Sequence, residues 1–330
     1  MANRPLCPSV PSVLRVLAVV FLAASLFAQS LKLEKTIPLS DDANVRFTAI
    51  SPKGDFIAGA CKDGRVRLWN FPAAELKQTF DLKDQPIAGV WFSNDGSLLV
   101  AGGERGFVRI WSMPSGKLKA EFSAGARIST LAISPDNSFL VVAPADQPAQ
   151  FWDLKVGRML IELTPKFAGS LAVAFSPDGQ WLATADADTA IRIYDGHIGM
   201  PRTTNDDLLL EPFGAVFSAD SKTLYVGGAD KVITAIDPAT AKVIRTFPKQ
   251  TFVVGGLDRS RDGKTLVAAY FDENSGKNPA PVLLWDVATA SVRTTILQPG
   301  VTPNGGGFVA DGRLLITNNP GGKLQVWSAK

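Results

Sequence analysis

The sequence predicts an all-β fold, a seven-bladed β-propeller of four-stranded antiparallel blades closed by an N-terminal strand that completes the last blade. Three observations predict it. A Ser-x-Asp-Gly type of phrase, leading into small and branched residues, recurs seven times along the 330 residues. A second phrase, centred on tryptophan in five copies, follows every copy. The last copy lacks an outer strand at the C-terminal end, and a matching segment stands at residues 33–37.

The first marker reads SPKGDFIAG from Ser51, SNDGSLLVAG from Ser93, SPDNSFLVV from Ser134, SPDGQWLAT from Ser176, SADSKTLYVGG from Ser218, SRDGKTLVAA from Ser260 and VADGRLLIT from Val309. Its steps are 42, 41, 42, 42, 42 and 49 residues. The second marker centres on Trp69, Trp111, Trp152, Tyr194, Ile236, Trp285 and Trp327, with steps of 42, 41, 42, 42, 49 and 42. In the second copy IAGVWF, SLLVAGG, FVRIW and KLKAEF are four short strands, separated by SNDG, ERG and SMPSG. Asp-Gly and Pro-Asp tolerate the backbone angles of tight turns. Four strands in a period of about 40–45 residues make a propeller blade rather than a helical solenoid.

The outer strands are LKQTF (76–80), LKAEF (118–122), VIRTF (243–247) and VRTTI (292–296). Only three residues follow Trp327, so the seventh blade needs its fourth strand from elsewhere. LEKTI (33–37) belongs to the same set, and 41–46 then leads into blade one. An unpaired edge would otherwise invite aggregation. The blade-four outer strand, within 197–213, is poorly written.

Over residues 31–330 the chain resembles the WD40 repeat family. SPDG followed by LATADADTAIRIYD matches the family's small-residue strand, turn aspartate and strand ending in Trp-Asp. The resemblance implies a propeller that binds other proteins. One departure stands out: no blade carries the family's Gly-His dipeptide, and the single histidine, His197, follows the Trp-equivalent Tyr194. The family's Asp–His–Ser/Thr–Trp network therefore cannot form. Histidine-less copies of this kind look more like exported bacterial propellers than eukaryotic signalling scaffolds.

Export is also expected from the first residues. Arg4 and Arg15 precede a 13-residue apolar run, Val16 to Ala28, broken only by Ser25, and then small residues. This is the layout of a signal peptide over 1–28, with 29–330 as the propeller and cleavage after Ala28 or Ser30. A membrane span needs about 20 residues, so an uncleaved anchor is the lesser reading. The expected location is periplasmic or extracellular, with no membrane span after cleavage. Without Arg4 and Arg15 the count is 32 basic to 31 acidic residues. That balance, with no long cationic run, argues against a nucleic-acid surface. Cys61 is then the one cysteine of the mature chain, at a small, apolar strand position that suits an inert thiol.

Candidate chemistry centres on the four aspartates of SPDGQWLATADADTAIRIYD. Asp178 recurs in the first turn as Asp95, Asp136, Asp220, Asp262 and Asp311, and Asp195 recurs as Asp153, Asp237 and Asp286. Asp188 recurs as Asp63, Asp146 and Asp230. Repeated positions of this kind build turns by accepting backbone N–H bonds. Only Asp186 is peculiar to its blade. Counted from it as the first position of an EF-hand loop, the places that need Gly and Glu hold Ile191 and His197, so calcium is not expected. One His and one Cys cannot build a zinc site. His197 lies in the turn GHIGMP with no G-x-S-x-G elbow, so no catalytic triad is expected. Gly305-Gly306-Gly307 and Gly102-Gly103 lack the Lys-Ser/Thr of a phosphate loop. No catalytic residue, metal or cofactor is expected.

The expected function is a rigid, non-catalytic, exported scaffold for protein partners, monomeric in itself. A ring within a larger envelope assembly differs only in partner. The 49-residue step marks an insertion in blade six, 272–281, between the second and third strands. It falls on the face that carries the links between blades, where insertions often mark binding. Candidate contacts there are Arg46, Arg105, Arg127, Phe213, Lys231, Asp272 and Asn304. The alternative is a lactonase-like or other small-ligand-binding propeller enzyme. It would need polar groups converging on the channel mouth, whereas inner-strand positions are mostly Ala, Gly, Val, Leu and Phe.

Overall fold

The computed structural model describes residues 31–38, 45–82, 85–163, 169–206, 208, 211–273, 280–296, 302–308, 314–319 and 323–329. The expected leader, 1–28, and the middle of the insertion, 274–279, lie outside the described residues. Among the described residues there are 28 strands in seven four-stranded sheets, and no helix is long and apolar enough to cross a membrane.

The first strand, β1 (Leu31–Pro38), stands apart from the next three. Blade one is β2 (Val45–Ile50), β3 (Phe56–Cys61), β4 (Arg65–Asn70) and β5 (Glu75–Asp81). Blade two is β6 (Ile87–Phe92), β7 (Leu98–Gly103), β8 (Phe107–Ser112) and β9 (Lys117–Ser123). Blade three is β10 (Ile128–Ile133), β11 (Phe139–Pro144), β12 (Gln150–Asp153) and β13 (Arg158–Glu162). Blade four is β14 (Ser170–Phe175), β15 (Trp181–Asp186), β16 (Ile191–Asp195) and β17 (Pro201–Asn205), so the weakly written outer strand forms. Blade five is β18 (Pro212–Phe217), β19 (Leu224–Gly228), β20 (Ile233–Ile236) and β21 (Val243–Thr246). Blade six is β22 (Val253–Arg259), β23 (Thr265–Phe271), β24 (Val282–Asp286) and β25 (Ser291–Ile296). Blade seven has β26 (Thr302–Phe308), β27 (Leu314–Asn319) and β28 (Lys323–Ala329), and β1 is its fourth strand. β1 runs antiparallel to β28 from Leu31 opposite Ala329 to Pro38 opposite Lys323. β26 touches β22 on one side and β2 on the other, which closes the ring.

The core lies between blades, because each sheet covers its neighbour's face. The second strands are buried, as in LLVAGG of β7, while the outer strands, as in KLKAEFS of β9, are mostly exposed. The second sequence marker meets the preceding blade's outer strand across this seam. Trp111 of blade two packs on Phe80, the end of blade one's outer strand, at 4.8 Å between ring centroids. Trp152 stacks on Phe122 at 3.8 Å, and Trp285 meets Phe247 edge-on at 5.6 Å. Each such pair adds about 0.5–1.5 kcal/mol beyond the area that it buries. The recurring Phe of the outer strand is thus a contact for the next blade's aromatic residue.

The first turn of six blades is built by a serine and an aspartate. The Oγ of Ser93, Ser134, Ser176, Ser218 and Ser260 donates to Asp95, Asp136, Asp178, Asp220 and Asp262 at 2.6–2.7 Å. The same aspartates accept the backbone N–H of the residue two places on, as Asp178 does from Gln180 at 3.0 Å. Blade one carries Lys53 at this place, and Ser51 donates to Asp55 instead, at 2.5 Å. Asp311 lies outside the described residues. In the third turn Asp153, Asp195, Asp237 and Asp286 accept backbone N–H bonds at 2.7–2.9 Å.

This turn chemistry predicts an acid-sensitive fold. The Ser218 and Ser260 hydroxyls, then the backbone N–H groups of Lys222 and Lys264, hold Asp220 and Asp262 below the usual carboxylate range. The Arg192 guanidinium lowers Asp188, and the Thr289 N–H lowers Asp286. A carboxyl depressed in the folded state stabilises the fold above its unfolded pKa, about 4, and loses that contribution as pH falls through the folded value. The urea midpoint should be level from pH 7 to about 5 and fall below about pH 4. A midpoint that holds at pH 3 would contradict this.

Candidate interaction surfaces

Antiparallel blades give the ring two distinct faces. The starts of the inner strands, the links between blades and the second turns share one, here the link face. The first and third turns share the other, here the turn face.

The missing Gly-His dipeptide leaves the link face intact, because backbone bonds tie each link to its blade's second turn. Glu104 donates to Pro86, Ala145 to Arg127, Ala187 to Gly169 and Ala229 to Glu211, at 2.7–2.9 Å. In blade two the buried Gln85 adds a side-chain tie, its Oε1 accepting the Arg105 N–H at 2.9 Å. These bonds need no particular side chain, which allows the copies to drift.

The seven expected contacts fall into separate sectors of the link face. Arg46 lies on β2 and Asn304 on β26. Arg105 and Arg127 sit where blades two and three meet, and Arg127 Nε reaches Glu104 at 2.8 Å. Phe213, Lys231 and Asp272 gather where blades five and six meet. There Phe213 lies edge-on to Phe271, 5.5 Å between centroids. Lys231 Nζ donates to Glu273 at 2.7 Å, linking blade five to the first described residues of the insertion. Exposed pairs of this type add little stability, so their weight is in the surface that they shape.

Below this face Asp186 is 1% exposed and fully engaged. Its Oδ1 accepts the Ser170 hydroxyl at 2.6 Å. Its Oδ2 accepts Arg192 Nη1 at 2.6 Å and the Thr184 hydroxyl at 3.1 Å. Arg192 also grips Asp188 through both Nη atoms, at 2.9 and 2.7 Å. Burial pushes the Asp186 carboxyl up, against the bonds from Ser170 and Arg192. Burial and the nearby Asp186 charge push Tyr194 up to about 12. Hydroxyl and guanidinium donors fill the carboxylate, so its place in the blade is that of an ion-paired anchor. Ser170 faces Asp186 across the strand pair, where other blades set Val45 against Cys61 and Ile128 against Pro144. His197 is an exposed turn residue whose N–H donates to Asp195. Cys61 is buried, and burial raises its thiol pKa.

The feature that the sequence expectation missed is on the turn face. The axial channel opens there into a cavity of about 1130 Å³, lined by residues of blades one to six. The half-buried Trp91, Phe92 and Phe175 form its walls, the buried Phe217 lies at its edge, and Lys53 and Arg261 stand on its lining from the turns. Trp91 lies over Gly89 of its own strand, where a Cβ would sit 2.3 Å from the indole. Gly89 therefore makes room for the indole. Asp258 and Arg259 also line the cavity, so the inner strands are less uniformly apolar than their composition suggests. The signal was present: blade six reads LDRS where blades one to five read AIS, WFS, AIS, AFS and VFS.

Comparison with known proteins places this architecture. The family described as WD domain, G-beta repeat, matches residues 32–70, 74–112 and 164–195. The chain carries WD40 repeats. The first matched WD40 segment starts in β1, the outer strand of blade seven, and ends with β4 of blade one. The sequence repeat is thus offset from the blade, and that offset is why the termini share a sheet. Among curated proteins, the small ribosomal subunit protein RACK1y of Oryza sativa subsp. japonica is 29% identical over 122 residues, 37% of this chain. The matched stretch spans 36% of that protein's length. Among solved structures, the β-propeller domain of Cps50 (Swd1) from Myceliophteria thermophila superposes with a TM-score of 0.78 at 15% identity. That match covers 91% of this chain and all of the other, and it bears on the fold alone. WD40 propellers commonly mediate protein–protein interaction.

Proposed function

We propose that the chain is an exported, non-catalytic WD40 propeller that holds a protein partner on its link face, at the seam of blades five and six. The observation that carries the reading is the Phe213–Phe271 pair set beside Lys231–Glu273 at the root of the insertion. Aromatic residues with a charged rim are the composition of binding centres. The stiff ring presents them without ordering cost. Export rests on the basic, apolar and small-residue order of residues 1–30.

Crosslinking of the protein in its native fraction tests the surface. Phe213→Ser with Lys231→Glu should remove partner crosslinks, while Arg65→Glu on blade one should leave them. An unchanged crosslink pattern in the first variant would end this assignment. N-terminal sequencing of the mature protein tests export, with a start at Gln29 or Leu31 expected and a start at Met1 opposing it.

A further inference from the structure

The turn-face cavity carries an inference independent of the link face. Six inner strands end at one register position, each opposite the same place on its second strand: Ile50, Phe92, Ile133, Phe175, Phe217 and Arg259. Five are apolar and one is a cation. We propose that this cavity binds an apolar ligand that ends in a single carboxylate, which Arg259 pairs.

Arg259 is held in place from one side. Its Nε donates to the Phe217 carbonyl of blade five at 2.7 Å, and its Nη1 reaches the Ser260 carbonyl at 3.4 Å. Nη2 has no hydrogen-bond partner among the described residues, so a planar donor remains on a fixed guanidinium. Its charge is under-compensated: burial lowers the Arg259 pKa, and the Asp258 charge offsets only part of that. The other lining carboxylate, Asp95, already accepts the Ser93 hydroxyl and the Ser97 N–H. A ligand anion would complete the arginine's surroundings, and Lys53 and Arg261 would draw it to the mouth.

The chemistry of the walls narrows the ligand. One guanidinium matches one planar carboxylate, whereas a phosphate dianion asks for more cations or a nest of backbone N–H groups. The half-buried Trp91, Phe92 and Phe175 walls favour an apolar body. Ligand cavities run to about 300–1,000 Å³, so this one accommodates either a free organic acid or the C-terminal end of a peptide chain.

Calorimetric titration separates these sources. The probes are 3-phenylpropionate and its amide, and the peptide acetyl-Ala-Leu-Val-Phe with a free carboxylate and as its amide. Binding of at least one acid is expected, at least tenfold tighter than its amide. Binding of the free acid alone would make the natural ligand a small organic acid, and binding of the peptide alone would make it a protein C-terminus. Arg259→Gln should weaken the bound acid roughly tenfold to a hundredfold. Arg259→Lys, which keeps the cation, should lose less. The comparison of acid and amide on the unaltered protein stands even if a variant misfolds. Equal binding of acid and amide, no binding of either acid at millimolar concentration, or full binding by a folded Arg259→Gln protein would overturn the proposal.

Discussion

Deleting residues 31–38 is expected to lower the melting temperature by about 10 °C or more, since each lost kcal/mol shifts a domain of this size by roughly 2–4 °C. β1 is the fourth strand of blade seven, paired with β28 over its whole length. Leu33 lies opposite Trp327, the last aromatic marker. Lys35 Nζ also reaches the Pro72 carbonyl of blade one, at 3.5 Å. Without β1 the last blade has three strands and β28 becomes an open edge, although β26, β27 and Val326 of β28 still touch the neighbouring blades. Several backbone bonds and a covered face disappear together, which places the loss at the upper end of single-site effects. Calorimetry checks the size of the shift. Adding a peptide of residues 29–40 should restore part of it, because the clasp is non-covalent. A deletion that melts like the intact chain would refute closure by the N-terminal strand.

The second large effect belongs to Arg192. Replacing it with Met should cost about 3–5 kcal/mol, the range for breaking one side of a buried ion pair. The loss leaves Asp186 buried with two hydroxyl donors and no countercharge, and frees Asp188 from its bidentate partner. The deficit should depend on pH with a defined sign. A carboxyl whose folded pKa is raised stabilises the protein below its unfolded value and loses that contribution as pH rises through the folded value. The Arg192→Met midpoint in urea should therefore approach the parent's as pH falls from 7 to about 5. Ser170→Val with Asp186→Cys, the pair that blade one already uses, should recover most of the loss in the Arg192→Met background. If Arg192→Met alone is neutral at pH 7, the network is not the anchor described.

Several particulars are legible in the sequence alone. SPDG and its relatives are local signals, and a serine and an aspartate two residues apart form the same turn wherever they occur. The Trp-bearing phrase and the outer strands were legible because each is repeated at the spacing of one blade, whereas the packing of Trp on the preceding blade's Phe was not. LEKTI was recognisable as a displaced outer strand by its likeness to LKQTF and VRTTI. The seven expected contacts were placed on the link face, yet their grouping was not legible. Lys231 meets Glu273 and Phe213 meets Phe271 because blades five and six turn these side chains toward each other. Arg105 and Arg127 belong to another seam.

Asp186 was visible as an exception to the repeat, and its unique position did mark something particular to blade four. Its partners were not visible. Ser170 lies 16 residues away and Arg192 six, and only the pairing of β14 with β15 and β15 with β16 aims them at one carboxylate. Asp-Arg in LDRS was likewise an exception, but its meaning depends on what surrounds it.

The repeat pattern in the chain set the number of blades, the turn aspartates and the exchange of a strand between the two ends. These follow from local chemistry repeated at one period, which any single copy expresses. The tertiary structure alone decided which exceptions to the repeat come together. The cavity draws its lining from six blades about 42 residues apart, and Arg259 acquires its fixed pose from a carbonyl of the preceding blade. Such convergence is set by closure of the ring around one axis, and no single copy of the repeat contains that axis.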